Sequence, residues 1–151
     1  MTKTTRPALF PSHDPTDGGG DSVTACYFTE CQQAVTTKRQ CAGLTFSGNA
    51  TYRCYIGLTT LGVIGNYAGR VVFVTNNYFK FTETRAIELL QYEGNVVRDN
   101  VIEDFGVLLS DNSSASGIPF AMRLRGVVNN IVAGNTIRFQ DWSTHSTTLR
   151  S

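Results

Sequence analysis

The chain has 151 residues, 17% of them charged, and a formal net charge of +1 at pH 7. A near-neutral balance without a basic cluster speaks against nucleic acid or an anionic membrane surface as a partner. No apolar run approaches the roughly 18 residues of a membrane span, so none is expected.

Residues 1–22 open the chain as a polar stretch punctuated by Pro7, Pro11, Pro15 and Gly18-Gly19-Gly20. Such composition predicts an irregular N-terminal arm. No apolar signal-peptide core follows Met1, so an exported protein would use another route or derive from a longer precursor. All four cysteines, Cys26, Cys31, Cys41 and Cys54, follow within the next stretch. An even count, with the sequons Asn49-Ala50-Thr51 and Asn112-Ser113-Ser114, fits a secreted protein glycosylated at Asn49 and Asn112.

Beyond the cysteines the chain aligns with itself at a step of 23 residues: Tyr52-Arg53-Cys54-Tyr55-Ile56, Thr75-Asn76-Asn77-Tyr78-Phe79 and Arg98-Asp99-Asn100-Val101-Ile102. A fourth copy, Ala133-Gly134-Asn135-Thr136-Ile137, comes at 35, the extra residues falling in the polar stretch 107–117. The columns read Cys54/Asn77/Asn100/Asn135 and Ile56/Phe79/Ile102/Ile137, with Asn49/Val72/Asn95/Asn130 before them and Ile64/Ile87/Met122 after. Carried backwards, the same step sets Cys31 under Cys54, Cys26 under Asn49 and Cys41 under Ile64.

Fixed-period self-similarity marks a solenoid, in which each repeat buries its apolar face against its neighbours. A step of about 23 is too short for helix-pair repeats of roughly 33 or more. It suits three short strands and three bends. Val71-Val72-Phe73-Val74, Val96-Val97, Val101-Ile102 and Val127-Val128 supply the β-branched and aromatic runs, cut by Gly and Asn. Asn recurs because a bend favours a residue that tolerates left-handed backbone angles, and stacked Asn side chains can satisfy buried polar groups. The expected architecture is all-β: a β-solenoid of about five coils over residues 23–142, with a loop insertion at 107–117 and a polar tail at 143–151. Open ends of such a coil expose apolar surface and unpaired strand edges. The polar tail after Trp142 is a poor cap, so a homo-oligomer or neighbouring β-helix segments are expected.

The unit Asn95-Val96-Val97-Arg98-Asp99-Asn100-Val101-Ile102, echoed by Asn130-Ile131-Val132-Ala133-Gly134-Asn135-Thr136-Ile137, resembles the repeat of the right-handed parallel β-helix, or pectin-lyase-like, superfamily. The resemblance covers roughly residues 41 to 140. It implies a right-handed coil and a place among polysaccharide lyases, glycoside hydrolases, epimerases, phage tailspikes and non-catalytic shafts. Fold alone does not choose among them. Lyases of this kind often use Arg or Lys as base, sometimes with a calcium ion held by acids. No other cofactor is implied.

Several residues carry the possible chemistry. Cys31 and Cys54, one coil or about 4.8 Å apart, are placed either for a disulfide or as buried thiols filling a narrow coil. No C-x2-C spacing points to zinc. Lys80, Glu103 and Arg138 share one column and Glu88 and Arg123 another, which reads as an ion-pair ladder on the outer surface. A second reading is a groove in which Lys80, Arg85, Arg123, Arg125 and Arg138 meet uronate carboxylates, one of them a base in a lyase. Asp99, Glu103 and Asp104 raise the hydrolase alternative, which needs two carboxyl groups about 5 to 9 Å apart. Asp104 falls in the column of Leu58, Phe81 and Phe139, so either an acid is buried there or a bulge turns Phe105 inward and leaves Asp104 at the bend. Tyr55 and Tyr78 fall in one outward column, offering flat faces to sugar rings or to a partner. Phe73, Val96 and Ile131 form an apolar outer stripe beside inward Val74, Val97 and Val132, and such stripes usually mark a partner. The 107–117 loop overhangs the next coil near Arg123.

Two functional expectations result. One is an extracellular or virion-surface module that binds polysaccharide and, in its catalytic version, cleaves it. The other is a non-catalytic shaft or oligomer subunit whose stripes and ends make assembly contacts.

Overall fold

The computed structural model describes residues 21–38, 43–61, 71–90, 94–106, 119–125 and 129–138, all strands and bends. The arm before Asp21, Cys41, Ile64, Asn112, the 107–117 insertion, Val127-Val128, Phe139 and the tail lie outside the described residues. Among the described residues fourteen strands follow one another three to a coil: β1 (Asp21–Thr24), β2 (Tyr27–Thr29), β3 (Gln33–Lys38), β4 (Leu44–Ser47), β5 (Ala50–Tyr52), β6 (Ile56–Leu61), β7 (Val72–Thr75), β8 (Tyr78–Lys80), β9 (Arg85–Leu90), β10 (Val96–Arg98), β11 (Val101–Glu103), β12 (Phe120–Arg125), β13 (Ile131–Ala133) and β14 (Thr136–Arg138). They stack into three sheets: β1-β4-β7-β10-β13, β2-β5-β8-β11-β14 and β3-β6-β9-β12. Every pairing is parallel. This is a parallel β-helix, a solenoid of about five coils.

The register corrects the repeat alignment at one place. Coils one to two step by 23 residues, coils three to four by 23 in the first two sheets and 35 in the third, and coils four to five by 35, so the long step enters between β11 and β12 as expected. Coil two to three steps by 28 in the first two sheets and 29 near the third. Five extra residues enter between Leu61 and Val72, and one more enters the bend at 81–84. Asn49, not Cys54, therefore takes the place beneath Asn77, and Leu44, not Asn49, lies beside Val72. Tyr78 lies beside Ala50, so Tyr55 and Tyr78 do not share a column. Leu58 pairs with Ile87 rather than standing under Phe81.

Asparagine stacking holds one bend along the whole coil. The Oδ1 of Asn77 accepts the backbone N–H of Asn49 at 2.9 Å, and Asn100 and Asn135 do the same for Asn77 and Asn100 at 3.0 and 3.1 Å. Each Nδ2 donates to a carbonyl of the coil before it: Asn49 to Val23, Asn77 to Phe46, Asn100 to Val74 and Asn135 to Val97. The first coil has Cys26 in this column, its N–H donated to Asn49 Oδ1 at 2.9 Å. Immediately before each ladder residue the backbone turns left-handed, at Ala25, Gly48, Asn76, Asp99 and Gly134. Gly, Asn and Asp adopt that conformation at the lowest strain.

The interior is filled by residues whose sizes trade off between sheets. The inward column of the first sheet begins Val23, Phe46, Val74, and that of the second Phe28, Thr51, Phe79. Where one sheet presents a large ring the other presents a small residue. The rings thus climb the axis in a zigzag, Phe28 to Phe46 at 6.3 Å and Phe46 to Phe79 at 6.1 Å between centroids. This keeps the volume per coil nearly constant, as close packing demands. Above Phe79 the pair becomes Val and Ile: Val97 with Ile102 and Val132 with Ile137. The third sheet contributes Leu58, Ile87 and Leu89 to the same core.

Gly57 sits where the coil is tightest. A Cβ there would meet the Ala86 carbonyl oxygen at 2.4 Å and the Phe79 ring at 2.7 Å. Neighbouring coils have Ala34 and Ala86 at this position, so the column tolerates a methyl elsewhere but not opposite Phe79. Gly57→Ala should destabilise the fold by about 1–3 kcal/mol, the usual range for overpacking. A urea midpoint unchanged from the parent protein would contradict this packing.

Candidate functional site

The outer face of the second sheet carries the densest set of chemical groups. One outward column runs Tyr27, Ala50, Tyr78, Val101, Thr136, and its neighbour Thr29, Tyr52, Lys80, Glu103, Arg138. Between them lies the inward column, as strand alternation requires. Lys80, Glu103 and Arg138 thus stand on successive coils, confirming that part of the repeat register.

Glu103 is the centre of this face, and it is buried. The Tyr78 hydroxyl donates to its Oε2, the Arg138 guanidinium donates to Oε1, and Lys80 Nζ lies 3.6 Å from Oε2. The Tyr78 hydrogen bond, followed by the contributions of Arg138 and Lys80, holds the carboxyl below its ordinary range even though burial pushes the other way. Tyr78 responds oppositely: burial, then its bond to the carboxylate, pushes the phenol up to about 12. Lys80 also lies over the Phe81 ring at 5.2 Å, and Phe81 meets Tyr52 edge-on at 5.5 Å. The exposed ion-pair ladder expected from the sequence is here a covered carboxylate gripped from both neighbouring coils.

A second cluster lies on the third sheet. Buried Glu88 is held by Arg85 at 2.9 Å and by Arg123 at 3.4 Å, and Arg123 rests over Phe120 at 5.6 Å. Arg125 is exposed at the end of β12. Arg85, Arg123 and Arg125 therefore belong to a different face from Tyr78, Lys80 and Arg138. The single cationic groove expected from the sequence is divided between two sheets.

The proposed carboxylate pair does not form. Asp99 and Asp104 sit at the two bends that flank β11, both with left-handed backbone. Four residues lie between them, three of them the extended strand β11, which sets their backbones on the order of 15 Å apart, where a bend between them would have been needed for the hydrolase spacing. Asp99 is exposed and paired with Arg98 at 3.6 Å, whereas Asp104 is buried. The outcome combines the two expected arrangements: Asp104 stands at the bend with Phe105 packed against the core, yet the acid itself is buried. No bulge is required, because Glu30, Arg53 and Phe81 make the same left-handed turn in the earlier coils.

Tyr55 is half-buried at a bend, its carbonyl accepting from the Thr84 N–H and hydroxyl. Tyr27, which the repeat alignment did not single out, takes its place: it is 66% exposed, against 37% for Tyr78. Asn49 is corrected as a glycan acceptor. Its Nδ2, the atom an N-glycan would be attached to, is buried and donates to Val23 O at 2.8 Å, so the folded coil leaves no room for a glycan there.

Cys31 and Cys54 stand on adjacent coils, as the step of 23 implies, and both are buried free thiols; Cys26 is an exposed free thiol. Burial pushes the Cys54 thiol up to about 12, with Cys31 adding to the shift. Among the described residues no group of three or more His, Cys, Asp or Glu is placed to hold a metal ion, and no helix is long and apolar enough to cross a membrane. No family model matches the chain, and no curated protein or solved structure is significantly similar to it.

Proposed function

We propose that the protein is an extracellular or virion-associated β-helix module that binds polysaccharide on the outer face of its second sheet without cleaving it. One observation carries this reading: Tyr27 and Tyr78 are exposed on that face, two coils apart, with only Ala50 between them. Two strand spacings, about 9.5 Å, separate their backbones. The face therefore offers two aromatic surfaces with a gap between them, beside fixed polar groups at Glu103, Lys80 and Arg138. Sugars have apolar ring faces and polar rims, which such a surface complements. The acids and bases named for catalysis are otherwise engaged. Glu103 is gripped in its ionised form by three donors, and the guanidinium groups of Arg85 and Arg123 are committed to Glu88. Membership of the right-handed pectin-lyase-like superfamily belongs to the same reading. It is supported by the parallel three-sheet coil and Asn ladder, and by the general right-handedness of strand-to-parallel-strand crossovers.

The test is a binding titration against neutral and uronate-rich polysaccharides. Tyr27→Ala should weaken binding about tenfold, corresponding to roughly 1.4 kcal/mol for one stacking residue. Arg125→Ala, on the other face, should leave it unchanged. Equal affinity for the parent protein and Tyr27→Ala would sink the proposal. A shaft or assembly subunit is the second reading, favoured by the column Phe73, Val96, Ile131, whose outer two members are exposed. It gains if no polysaccharide binds and the protein is larger than a monomer.

A further inference from the structure

The two bends that flank the second sheet are built from different columns. The first carries the asparagine ladder, and the second carries thiols. The Tyr55 N–H donates to Cys31 O at 2.9 Å, the Glu83 N–H to Cys54 O at 3.0 Å and the Gly106 N–H to Thr82 O at 2.7 Å, so this column reads Cys31, Cys54, Thr82, Phe105. Thr29 pairs with Tyr52 and Gln33 with Ile56, which fixes the register on both sides of the two cysteines. Each cysteine follows a left-handed residue, Glu30 or Arg53, and each sends its side chain into the core.

Neighbouring coils set equivalent backbone positions about 4.8 Å apart, inside the roughly 4.4–6.8 Å between Cα atoms that a disulfide bridges. Cys31 Sγ donates to Thr29 O at 3.4 Å and Cys54 Sγ to Tyr52 O at 3.6 Å, each within its own coil. Cys54 Sγ also reaches Phe28 O of the first coil at 3.8 Å, so its sulfur leans toward the coil of Cys31. Cys26 is out of reach of both. It stands at the first bend, with the extended strand β2 between it and Cys31, on the order of 15 Å away. Among the described residues, Cys31 and Cys54 are the one pair of thiols that a disulfide could join.

We propose that this pair is a site of covalent modification, the reduced form of a disulfide that staples coil one to coil two and is closed, once the coil has folded, by exchange with a low-molecular-weight disulfide. Cys31 keeps 8% of its surface open to solvent and Cys54 none, so exchange starts at Cys31. Its thiol gives up a proton to solvent, and the sulfur attacks one sulfur of the small disulfide, breaking that S–S bond and releasing a thiolate. The Cys54 thiol then loses its proton, and its sulfur attacks Cys31 Sγ, forming the intercoil bond and expelling the second thiolate. Two protein thiols are oxidised, and one small disulfide is reduced to two thiols that take up the two protons. Burial holds the Cys54 thiol at about 12, so the second step is the slow one. The staple persists in an oxidising medium and opens in a reducing one.

Oxidised glutathione added to the folded, fully reduced protein tests this, with the remaining thiols alkylated in denaturant and the peptides mapped by mass spectrometry. The expected result is one disulfide joining the peptides that hold Cys31 and Cys54, with Cys26 alkylated and the circular dichroism of the reduced protein retained. Cys26→Ser should form the same bond. Cys31→Ser should leave Cys54 free for alkylation, because its partner is gone. Cys31 and Cys54 both still free after prolonged oxidation would overturn the proposal. So would a bond from either of them to Cys26 or Cys41, and so would a glutathione adduct retained on Cys31 beside a free Cys54.

Discussion

Asn77→Ala should lower stability by about 4–6 kcal/mol, the largest effect expected of any single substitution. Asn77 stands in the middle of the ladder. Its Nδ2 donates to Phe46 O at 2.8 Å and to Asn100 Oδ1 at 2.9 Å, while its Oδ1 accepts the Asn49 N–H at 2.9 Å. Removing the amide leaves a buried N–H and a buried C=O without partners, each costing about 1–3 kcal/mol, and opens a space at the bend. A domain of this size has on the order of 5–15 kcal/mol in total, so the loss takes up a large share of it. The outer end of the ladder supplies the comparison. Asn130 is only half-buried and joins only coils four and five, so water replaces its bonds and Asn130→Ala should cost about 1 kcal/mol or less. Urea denaturation of the two variants decides. Equal losses would mean that the ladder is not what holds the bend.

Much of the coil was legible in the sequence because its physics recurs. An Asn at one bend per coil, a β-branched or aromatic residue on either side and a step near 23 together fix parallel strands, three to a coil. The slip between coils two and three came from aligning on apolar columns. Ile56 and Phe79 are both inward-type residues, so a step of 23 satisfied the apolar pattern there although the chain runs 28. A better signal was present in Gly48-Asn49, Asn76-Asn77, Asp99-Asn100 and Gly134-Asn135. Each is a residue that tolerates a left-handed backbone followed by a ladder Asn, a pair dictated by bend geometry rather than by hydrophobicity. Following that pair gives the observed register and brings Tyr27 into line with Tyr78. The second bend carries no such signal, since Glu30, Arg53, Phe81 and Asp104 turn left-handed without a shared residue type. Nor could the sequence reveal that Glu103 is buried. Its position in an outward column implies exposure, and only the convergence of Tyr78 and Arg138 from the adjoining coils covers it.

Glu103→Gln should cost about 2–3 kcal/mol at neutral pH and remove a specific part of the acid sensitivity of the fold. The carboxylate is buried while its partners are more accessible: Lys80 is half-buried, Tyr78 is exposed at its ring and Arg138 reaches into solvent. Removing the charge therefore strands fewer groups than breaking a fully buried pair, for which about 3–5 kcal/mol is usual. The pH dependence has a definite sign. Glu103 has its folded-state pKa depressed, chiefly by the Tyr78 hydroxyl and then by Arg138 and Lys80. Its contribution is fully present above the unfolded value of about 4.3 and is lost as pH falls through the lower folded value. Urea midpoints measured from about pH 7 downward should fall more steeply for the parent than for Glu103→Gln below that unfolded value. Tyr78→Phe should lie between them, because it removes the largest cause of the depression but leaves both cations in place. At the alkaline end the sign reverses in kind. Tyr78 has a folded pKa raised to about 12, so its contribution is whole below the ordinary value of about 10 and fades as pH rises through the folded one. Parallel acid limbs for the parent and Glu103→Gln would show that the carboxylate is solvated in solution and that the grip of Tyr78, Lys80 and Arg138 does not exist there. A steeper parent limb would make this cluster the electrostatic clamp across coils three to five, anchored beside the exposed Tyr78 on coil three.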